Sequence, residues 1–343
     1  MENLEIKNLL GFLLPLLISS GLFYWILYLC RGRFQTCPYT FVNEYKNSKR
    51  WGGIIFGLTI LISIILFQNI SAGFLLPKDF WSLVAGIVIL LVGGIWDDIS
   101  RISWLKQLIF QSVTALIAVM VGDTIDHIRL PGGSVLFFSP FFSAVLAYFW
   151  IILVIEALNW LDGVDGLSGS VSLITLFTLA VLSLTPVVNQ PSTSLLCLII
   201  AGSLLGLLFF NFPPARVFLG SSGIWILGFL IAVISIYSGG KVATTALVLG
   251  IPIIDFLFVS AERIWAGKWP VFGGDRLHLH ERLIDYGWKP ISIVLIFSSF
   301  SLLLGLGAVL SQTMGKVYLI LLLAVFFLLF SLAHKQAGRW QKK

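Results

Sequence analysis

Long apolar runs separated by short polar segments make up most of the chain. A transmembrane helix needs about 20 predominantly apolar residues, and runs of that length recur along the whole sequence. The ninth run is the least regular, because Pro252 and Asp255 fall within it. The pattern predicts an all-α, polytopic integral membrane protein with about eleven transmembrane helices. The predicted helices span residues 9–30, 52–70, 80–96, 104–122, 140–158, 167–187, 193–211, 218–237, 241–264, 289–311 and 316–334.

Composition supports this fold class, since 58% of the 343 residues are hydrophobic, 11% are charged and the mean hydropathy is +0.99. A soluble domain carries about 25% charged residues. The first apolar run is longer than a signal-peptide core of roughly 7–15 residues, and no small-residue cleavage site follows it, so it is predicted to remain as a transmembrane helix. The chain shows no internal repeat, and residues 1–343 are predicted to form a single transmembrane domain.

Basic residues are distributed unevenly between the two sets of loops that eleven helices would create. Of the 22 Lys and Arg residues, 17 fall on the side of the C-terminal tail and 5 on the side of the N-terminus. Cytoplasmic loops are enriched in Lys and Arg, so the N-terminus is predicted outside the cytoplasmic membrane and the C-terminus inside. This arrangement accounts for the net charge of +6 and argues against nucleic acid as a partner. On the outer side, residues 123–139 are predicted to form a small extracytoplasmic hairpin around Pro131-Gly132-Gly133.

Four polar clusters are predicted to lie on the cytoplasmic face as active-site loops. The first is Asp97-Asp98, followed by Arg101, at the end of the third predicted helix. Adjacent carboxylates repel unless a proton or a cation lies between them. This favours a proton acceptor or an organiser of metal and phosphate, with Arg101 contacting phosphate. The alternative is a solvated helix end with paired charges.

The second cluster places an amide and two carboxylates in a glycine-rich turn. Asn159 and Asp162 share one helical face, and Asp165 follows Gly163. Oxygen ligands suit a hard cation such as Mg²⁺, particularly one that also holds phosphate oxygens, whereas helix capping is the alternative. Glu156 lies one turn earlier, where a charge costs about 2.5–3.5 kcal/mol on insertion scales. It is therefore expected to be protonated, paired or directed towards the site.

The third and fourth clusters are loops. Glycine and serine residues within 211–223 indicate a backbone that approaches a phosphate or nucleobase, on which Phe218 could stack; a plain packing loop is the alternative. The fourth cluster is basic and contains histidines, which suits the binding of a diphosphate. No cysteine near it completes a zinc site. The alternative is a solvated loop at the membrane interface. This cluster contains Asp275, Arg276, His278 and His280.

Taken in this order, the four clusters resemble the polyprenyl-phosphate N-acetylhexosamine-1-phosphate transferases, integral membrane enzymes that start lipid-linked glycans. The similarity extends from Gly52-Gly53 to about Trp288, and its most specific part is the signature Asn159-x-x-Asp162-Gly-x-Asp165-Gly. Eleven helices and the form Asp275-Arg276-x-His278-x-His280 are more similar to the N-acetylglucosamine-1-phosphate branch than to the muramyl-pentapeptide branch.

The resemblance implies that polyprenyl phosphate attacks the β-phosphorus of a UDP-sugar, with Mg²⁺ or Mn²⁺ as cofactor, and that UMP is released. Asp97 and Asp98 would position or deprotonate the lipid phosphate, and a homodimer would be compatible with the family. The implied catalytic residues are Asp97, Asp98, Asp162 and Asp165; the implied substrate-binding residues are Arg101, Phe218, Asp275, Arg276, His278 and His280; the implied metal-binding positions are Asn159 and Ser221.

Four positions depart from the family pattern. Ser221 stands where the family has the aspartate of a Phe-x-Gly-Asp motif, Glu156 where asparagine is usual, Glu281 where a third histidine is common, and Lys49 where proline is usual. A hydroxyl in place of a carboxylate should weaken metal affinity. Ser221 is compatible with an introduced substitution, with a natural loss of activity, or with a ligand role shifted to Glu156 or Asp255. A relative that binds substrate without turnover is therefore the alternative function. A transporter is disfavoured because most ionisable residues cluster at one face rather than at the midplane.

Overall fold

The structure is a computed structural model, and it is almost entirely helical. The residues that it describes are 2–29, 51–70, 77–130, 134–237, 241–269, 277–311, 314–323 and 325. Within them, the helices are α1 (Glu2–Leu29), α2 (Gly52–Ile70), α3 (Pro77–Ser100), α4 (Trp104–Val121), α5 (Pro140–Leu161), α6 (Leu167–Leu184), α7 (Pro191–Asn211), α8 (Gly220–Ile236), α9 (Lys241–Val248), α10 (Gly250–Trp265), α11 (Leu279–Asp285), α12 (Pro290–Leu310) and α13 (Met314–Leu323).

Eight of these helices are long and apolar enough to cross a membrane, and α9 with α10 adds a ninth span if the bent pair is one, counted over the described ranges. The eleven predicted helices coincide with these nine, with α8 and with α13. Helix α8 has 17 residues, and the predicted continuation of α13 to residue 334 lies outside the described residues. The prediction of an all-α, multi-pass membrane protein is therefore confirmed.

The ninth predicted helix is broken rather than continuous, with a bend of 74° between α9 and α10. Pro252 lies in the first turn of α10. Proline has no N–H, and its ring collides with the carbonyl four residues earlier in a continuous helix, which here belongs to Val248. The break therefore falls at Leu249, and Asp255 follows it by less than two turns.

Helix α8 is the centre of the bundle. Every residue of α8 except Ser221 is buried, and the helix packs against α2, α3 and α5. A helix that is apolar all round belongs in the interior of a bundle. Ser221 thus lies at the N-terminus of the most enclosed helix.

Two glycines allow neighbouring helices to approach the first turn of α8. A Cβ atom added to Gly94 of α3 would lie 2.2 Å from the Cα atom of Ser222, and one added to Gly53 of α2 would lie 2.1 Å from the backbone N of Gly223. Both clashes would involve the backbone. The glycines therefore permit α2 and α3 to close around the end of α8 that carries Ser221.

The predicted hairpin is present as two antiparallel strands, β1 (His127–Arg129) and β2 (Val135–Phe137), and its extracytoplasmic location stays a prediction. His127 pairs with Phe137, and Arg129 pairs with Val135. The predicted turn at Pro131-Gly132-Gly133 lies outside the described residues.

Candidate active site

The aspartate pair at the end of α3 meets the N-terminus of α8. Asp98 Oδ1 accepts a hydrogen bond from the backbone N–H of Ser221 at 2.8 Å, and Oδ2 accepts from the N–H and the hydroxyl of Ser222 at 3.1 and 2.6 Å. The first N–H groups of a helix have no partner within the helix, and a carboxylate there is favoured by the helix dipole. Asp98 therefore caps α8 from a different helix.

Asp97 is buried beside it, with 5% of its surface exposed. Its Oδ1 accepts from the N–H of Ile102 and from Gln107 Nε2, both at 3.0 Å, and its Oδ2 accepts from the Ser221 hydroxyl. Ser221 therefore contacts both aspartates, through its hydroxyl and its backbone. From the sequence, these two clusters were predicted only to lie on the same face, and the metal-binding role of position 221 stays a prediction.

Arg101 follows α3 in a left-handed backbone conformation with φ of 46°, and its side chain is exposed. Its N–H donates to the carbonyl oxygen of Asp97 at 2.8 Å. The side chain therefore lies at the surface next to the aspartate pair, and its contact with phosphate stays a prediction.

The glycine-rich turn between α5 and α6 is joined to the loop between α7 and α8. The Asn211 side chain accepts from the N–H of Gly166 at 3.1 Å and donates to the carbonyl of Val217 at 2.9 Å. Asp165 Oδ2 accepts from the N–H of Ala215 at 3.0 Å. Burial raises the pKa of the Asp165 carboxyl, and the hydrogen bond from Ala215 opposes that rise. Asp165 thus joins the glycine-rich turn to the loop between α7 and α8, and its implied catalytic role stays a prediction.

The neighbouring Asp162 ends α5 and accepts a hydrogen bond from the Ser168 hydroxyl at the start of α6. Phe218 is half-buried, and its carbonyl accepts from the N–H of Gly52 at 3.1 Å. The loop that contacts Asp165 through Ala215 therefore continues through Phe218 into the site at Ser221. Stacking of Phe218 on a base stays a prediction.

The two histidines are buried, with 3% of His278 and 2% of His280 exposed. Their rings are nearly parallel, with an interplanar angle of 14° and centroids 5.9 Å apart. A Cβ atom added to Gly163 would lie 2.4 Å from His280 Nε2, so the histidine segment packs against the glycine-rich turn. Burial lowers the pKa of His280 to about 4. The predicted site residues Asp275 and Arg276 lie outside the described residues.

A buried aspartate, Asp255, which was named from the sequence only as an alternative metal ligand, holds the histidine segment. Asp255 Oδ2 lies 2.7 Å from His278 Nδ1, and Oδ1 accepts from the N–H of Leu279 at 2.9 Å. The available signal was a carboxylate inside an apolar run next to Pro252, since intramembrane charges are kept for function. Asn211 was also not assigned to the site, because its two partners, Gly166 and Val217, lie in different loops.

Glu156 accepts hydrogen bonds from uncharged donors at both of its carboxylate oxygens. It is 6% exposed and accepts hydrogen bonds from Gln111 Nε2 at 2.6 Å and from Trp160 Nε1 at 2.8 Å. The Arg263 guanidinium lies 4.1 Å from the centre of a Trp160 ring, and the Asn159 side chain lies close to the Glu156 carboxylate. Asn159 therefore neighbours Glu156, and its approach to a metal stays a prediction.

The direct contacts form two groups, one around Ser221 and one around the glycine-rich turn with His278 and His280. The loop between α7 and α8 connects them. Mg²⁺ is commonly held by one or two carboxylates together with substrate phosphates, and the oxygens of Asp97 and Asp98 that flank Ser221 have the right chemistry for such an ion. Over the described residues, no group of three or more His, Cys, Asp or Glu side chains forms a complete protein cage for a metal.

Residues 80–239, which include the aspartate pair, the glycine-rich turn and Ser221, match the model of glycosyl transferase family 4. The probable undecaprenyl-phosphate N-acetylglucosaminyl 1-phosphate transferase of Bacillus subtilis is 28% identical over 279 residues, which cover 79% of this chain and 77% of the relative. The undecaprenyl-phosphate alpha-N-acetylglucosaminyl 1-phosphate transferase of Thermotoga maritima is 28% identical over 292 residues, which cover 84% of this chain and 86% of the relative. The phospho-N-acetylmuramoyl-pentapeptide-transferase of Lactiplantibacillus plantarum is 28% identical over 277 residues, which cover 76% of this chain and 83% of the relative. The segment that carries the aspartate pair, the glycine-rich turn and Ser221 is therefore similar to glycosyl transferase family 4.

Proposed function

We propose that the protein transfers N-acetylhexosamine-1-phosphate from a UDP-sugar to polyprenyl phosphate, with undecaprenyl phosphate as the expected lipid. The observation that carries this proposal is that Asp97, Asp98 and the N-terminus of α8 meet at one end of the bundle, where the buried pair His278 and His280 also packs against the glycine-rich turn. The names of the relatives from Bacillus subtilis and Thermotoga maritima support the same reaction.

In this reaction an oxygen of the lipid phosphate attacks the β-phosphorus of the UDP-sugar. The bond between that phosphorus and the oxygen bridging to the α-phosphate breaks, and UMP leaves with the electron pair. The products are polyprenyl-diphosphate sugar and UMP. Because two anions must meet, the protein has to position them in line and oppose their repulsion.

Asp97 and Asp98 are fixed by backbone and side-chain donors, so they offer a rigid position from which to orient the lipid phosphate. The N–H groups of Ser221 and Ser222 in the first turn of α8 donate to Asp98 and hold its carboxylate in place. Asp97, Asp98 and Ser221, with Asn159 as a further candidate, would hold Mg²⁺ or Mn²⁺, which when bound neutralises diphosphate charge. His278 and His280 lie on the other side of the connecting loop and are proposed to contact the diphosphate, while Arg101 and Phe218 are proposed to contact phosphate and uracil.

The orientation in the membrane is part of the proposal. With 17 of 22 basic residues on one side, that side is proposed to face the cytoplasm, and the N-terminus to face outward. The aspartates and histidines then face the compartment that contains nucleotide sugars. The polyprenyl chain would remain in the bilayer while its phosphate reaches the site.

A second candidate function is favoured by Ser221. Its hydroxyl donates to Asp97 and its N–H to Asp98, so the aspartate pair is compensated by protein donors alone. This suits a relative that binds nucleotide sugar or lipid phosphate without turnover.

Release of UMP separates the two candidates. Purified protein would be incubated with undecaprenyl phosphate and a panel of UDP-sugars, including UDP-N-acetylglucosamine, with Mg²⁺ or with a chelator. A transferase releases UMP from at least one UDP-sugar, and only when lipid phosphate and divalent cation are both present. Stabilisation of the protein by a UDP-sugar in thermal unfolding, without UMP release, would favour the binding protein.

A further inference from the structure

We propose that Asp255 is a positioning residue for the reaction, which fixes the ring of His278 so that its Nε2 atom faces the phosphates of the nucleotide sugar. The inference rests on the proposed function. It concerns a residue of α10 that lies outside the segment matching the family model, residues 80–239.

Both carboxylate oxygens of Asp255 are used by the histidine segment. One lies 2.7 Å from His278 Nδ1, and the other accepts from the N–H of Leu279 at 2.9 Å. A carboxylate oxygen only accepts hydrogen bonds, so Nδ1 carries the shared proton and Nε2 is the ring nitrogen left for another partner. One side chain thus sets both the ring and the backbone where α11 begins.

The faces of the His278 ring are enclosed as well. The centroid of the Trp160 ring lies 4.6 Å from that of the His278 ring. The His280 ring is nearly parallel to the His278 ring, and their centroids are 5.9 Å apart. His278 Nε2 and His280 Nδ1 are buried, and neither has a hydrogen-bond partner within the described part of the chain. Buried polar atoms without partners are rare and costly, which points to a ligand that supplies the missing hydrogen bonds.

A second ion pair between the same two helices separates positioning from simple packing. Glu262 of α10 lies 3.0 Å from Arg282 of α11, and this pair joins α10 to α11 as Asp255 does. A purely structural role predicts similar effects when either carboxylate is neutralised. A positioning role predicts that only the Asp255 change weakens binding of the nucleotide sugar.

The experiment compares Asp255→Asn with Glu262→Gln in the purified full-length protein. Affinity for UDP-N-acetylglucosamine is measured by calorimetry, the KM values for both substrates by UMP release, and stability by thermal unfolding. Loss of the carboxylate that orients a metal-binding histidine typically costs about 10- to 100-fold in affinity or activity, and an effect of the same order is expected for a histidine that binds phosphate. Asp255→Asn is therefore expected to raise Kd and KM for the nucleotide sugar about ten-fold or more and to leave KM for undecaprenyl phosphate unchanged. Glu262→Gln is expected to lower Tm without changing either KM.

A His278→Ala background provides the second arm. Because Asp255 acts through His278, Asp255→Asn is expected to cause no further loss of nucleotide-sugar affinity there. A further loss in that background, or equal changes in KM for Asp255→Asn and Glu262→Gln, would overturn the proposal. Wild-type protein that binds UDP-N-acetylglucosamine without transfer would overturn the proposed reaction alone, whereas wild-type protein that binds no UDP-sugar would overturn both.

Discussion

Replacing Ser221 with aspartate tests whether the N-terminus of α8 holds a metal and phosphate. The hydroxyl of Ser221 donates to Asp97, and its N–H donates to Asp98 at 2.8 Å. Ser221→Asp removes that hydroxyl donor and adds a third negative charge beside the two existing carboxylates. The three charges tolerate one another only with a cation or a proton between them.

The expected magnitude follows from these contacts. Two unit charges 4 Å apart repel by about 4 kcal/mol at an effective dielectric constant near 20, and a lost hydrogen bond to a charged group costs about 1.5–3 kcal/mol. Proton uptake by the new carboxyl relieves part of the repulsion. Without divalent cation, Ser221→Asp is therefore expected to lower the free energy of unfolding by about 2–4 kcal/mol.

Addition of Mg²⁺ reverses the sign of this effect, because three carboxylates bind a hard cation more strongly than two. Thermal unfolding across a Mg²⁺ titration is expected to show a larger rise in Tm for Ser221→Asp than for the wild type. Transfer activity at saturating Mg²⁺ is expected to rise in the same variant. Ser221→Asn is the matched control, because asparagine has the size of aspartate without its charge. It is expected to show neither the larger rise in Tm with Mg²⁺ nor the higher transfer activity. Equal Mg²⁺ dependence and an unchanged transfer rate for Ser221→Asp and Ser221→Asn would refute the assignment of this site.

Three further predictions follow from individual contacts. Gly163→Ala places a Cβ atom 2.4 Å from His280 Nε2 and is expected to raise KM for the nucleotide sugar, while Gly21→Ala, which meets no atom within 4 Å, should leave kinetics unchanged. Gly94→Ala places a Cβ atom 2.2 Å from the Cα atom of Ser222 and should lower the free energy of unfolding by an amount typical of overpacking, about 1–3 kcal/mol; a Tm equal to that of Gly21→Ala would contradict this packing. The pKa of His280 falls to about 4 on folding, so the folded state binds fewer protons and loses stability as pH falls from about 6.5 towards 4. His280→Asn should flatten the dependence of Tm on pH in that window, and an unchanged slope would show that His280 is not the group responsible.

The helices could be predicted because hydropathy reports burial in a bilayer residue by residue. The sequence pattern predicted one helix over 241–264 and indicated only that it is the least regular; the break at Leu249 follows from Pro252, which disrupts a continuous helix. Topology predicted that Asp97, Asp98 and position 221 lie on the same side, because eleven spans bring the end of the third and the start of the eighth there. The contact that Asp98 makes was not predicted. A carboxylate that caps a different helix depends on how closely α3 approaches α8, which Gly94 controls.

The contacts around the histidines could not be predicted from the sequence. Asp255 and His278 are 23 residues apart, and nothing in the apolar pattern of α10 shows which of its faces meets α11. Glu156 illustrates the same limit. Its depth in the membrane indicated only that it must be protonated, paired or directed towards the site. The partner Trp160 lies one turn later on α5 itself, whereas the choice of Gln111 as the other partner depends on tertiary packing of α4 against α5.

The proposed reaction makes the origin of the transferred phosphorus the most direct test. The purified protein would be incubated with undecaprenyl phosphate, Mg²⁺ and UDP-N-acetylglucosamine carrying ³²P at the β-position, and the same nucleotide sugar labelled at the α-position would be run in parallel. Attack at the β-phosphorus predicts that the β-label moves into the lipid fraction in proportion to UMP formed, while the α-label stays in UMP. An α-label that enters the lipid, or a β-label that remains in the aqueous phase for both the wild type and Ser221→Asp, would contradict the account.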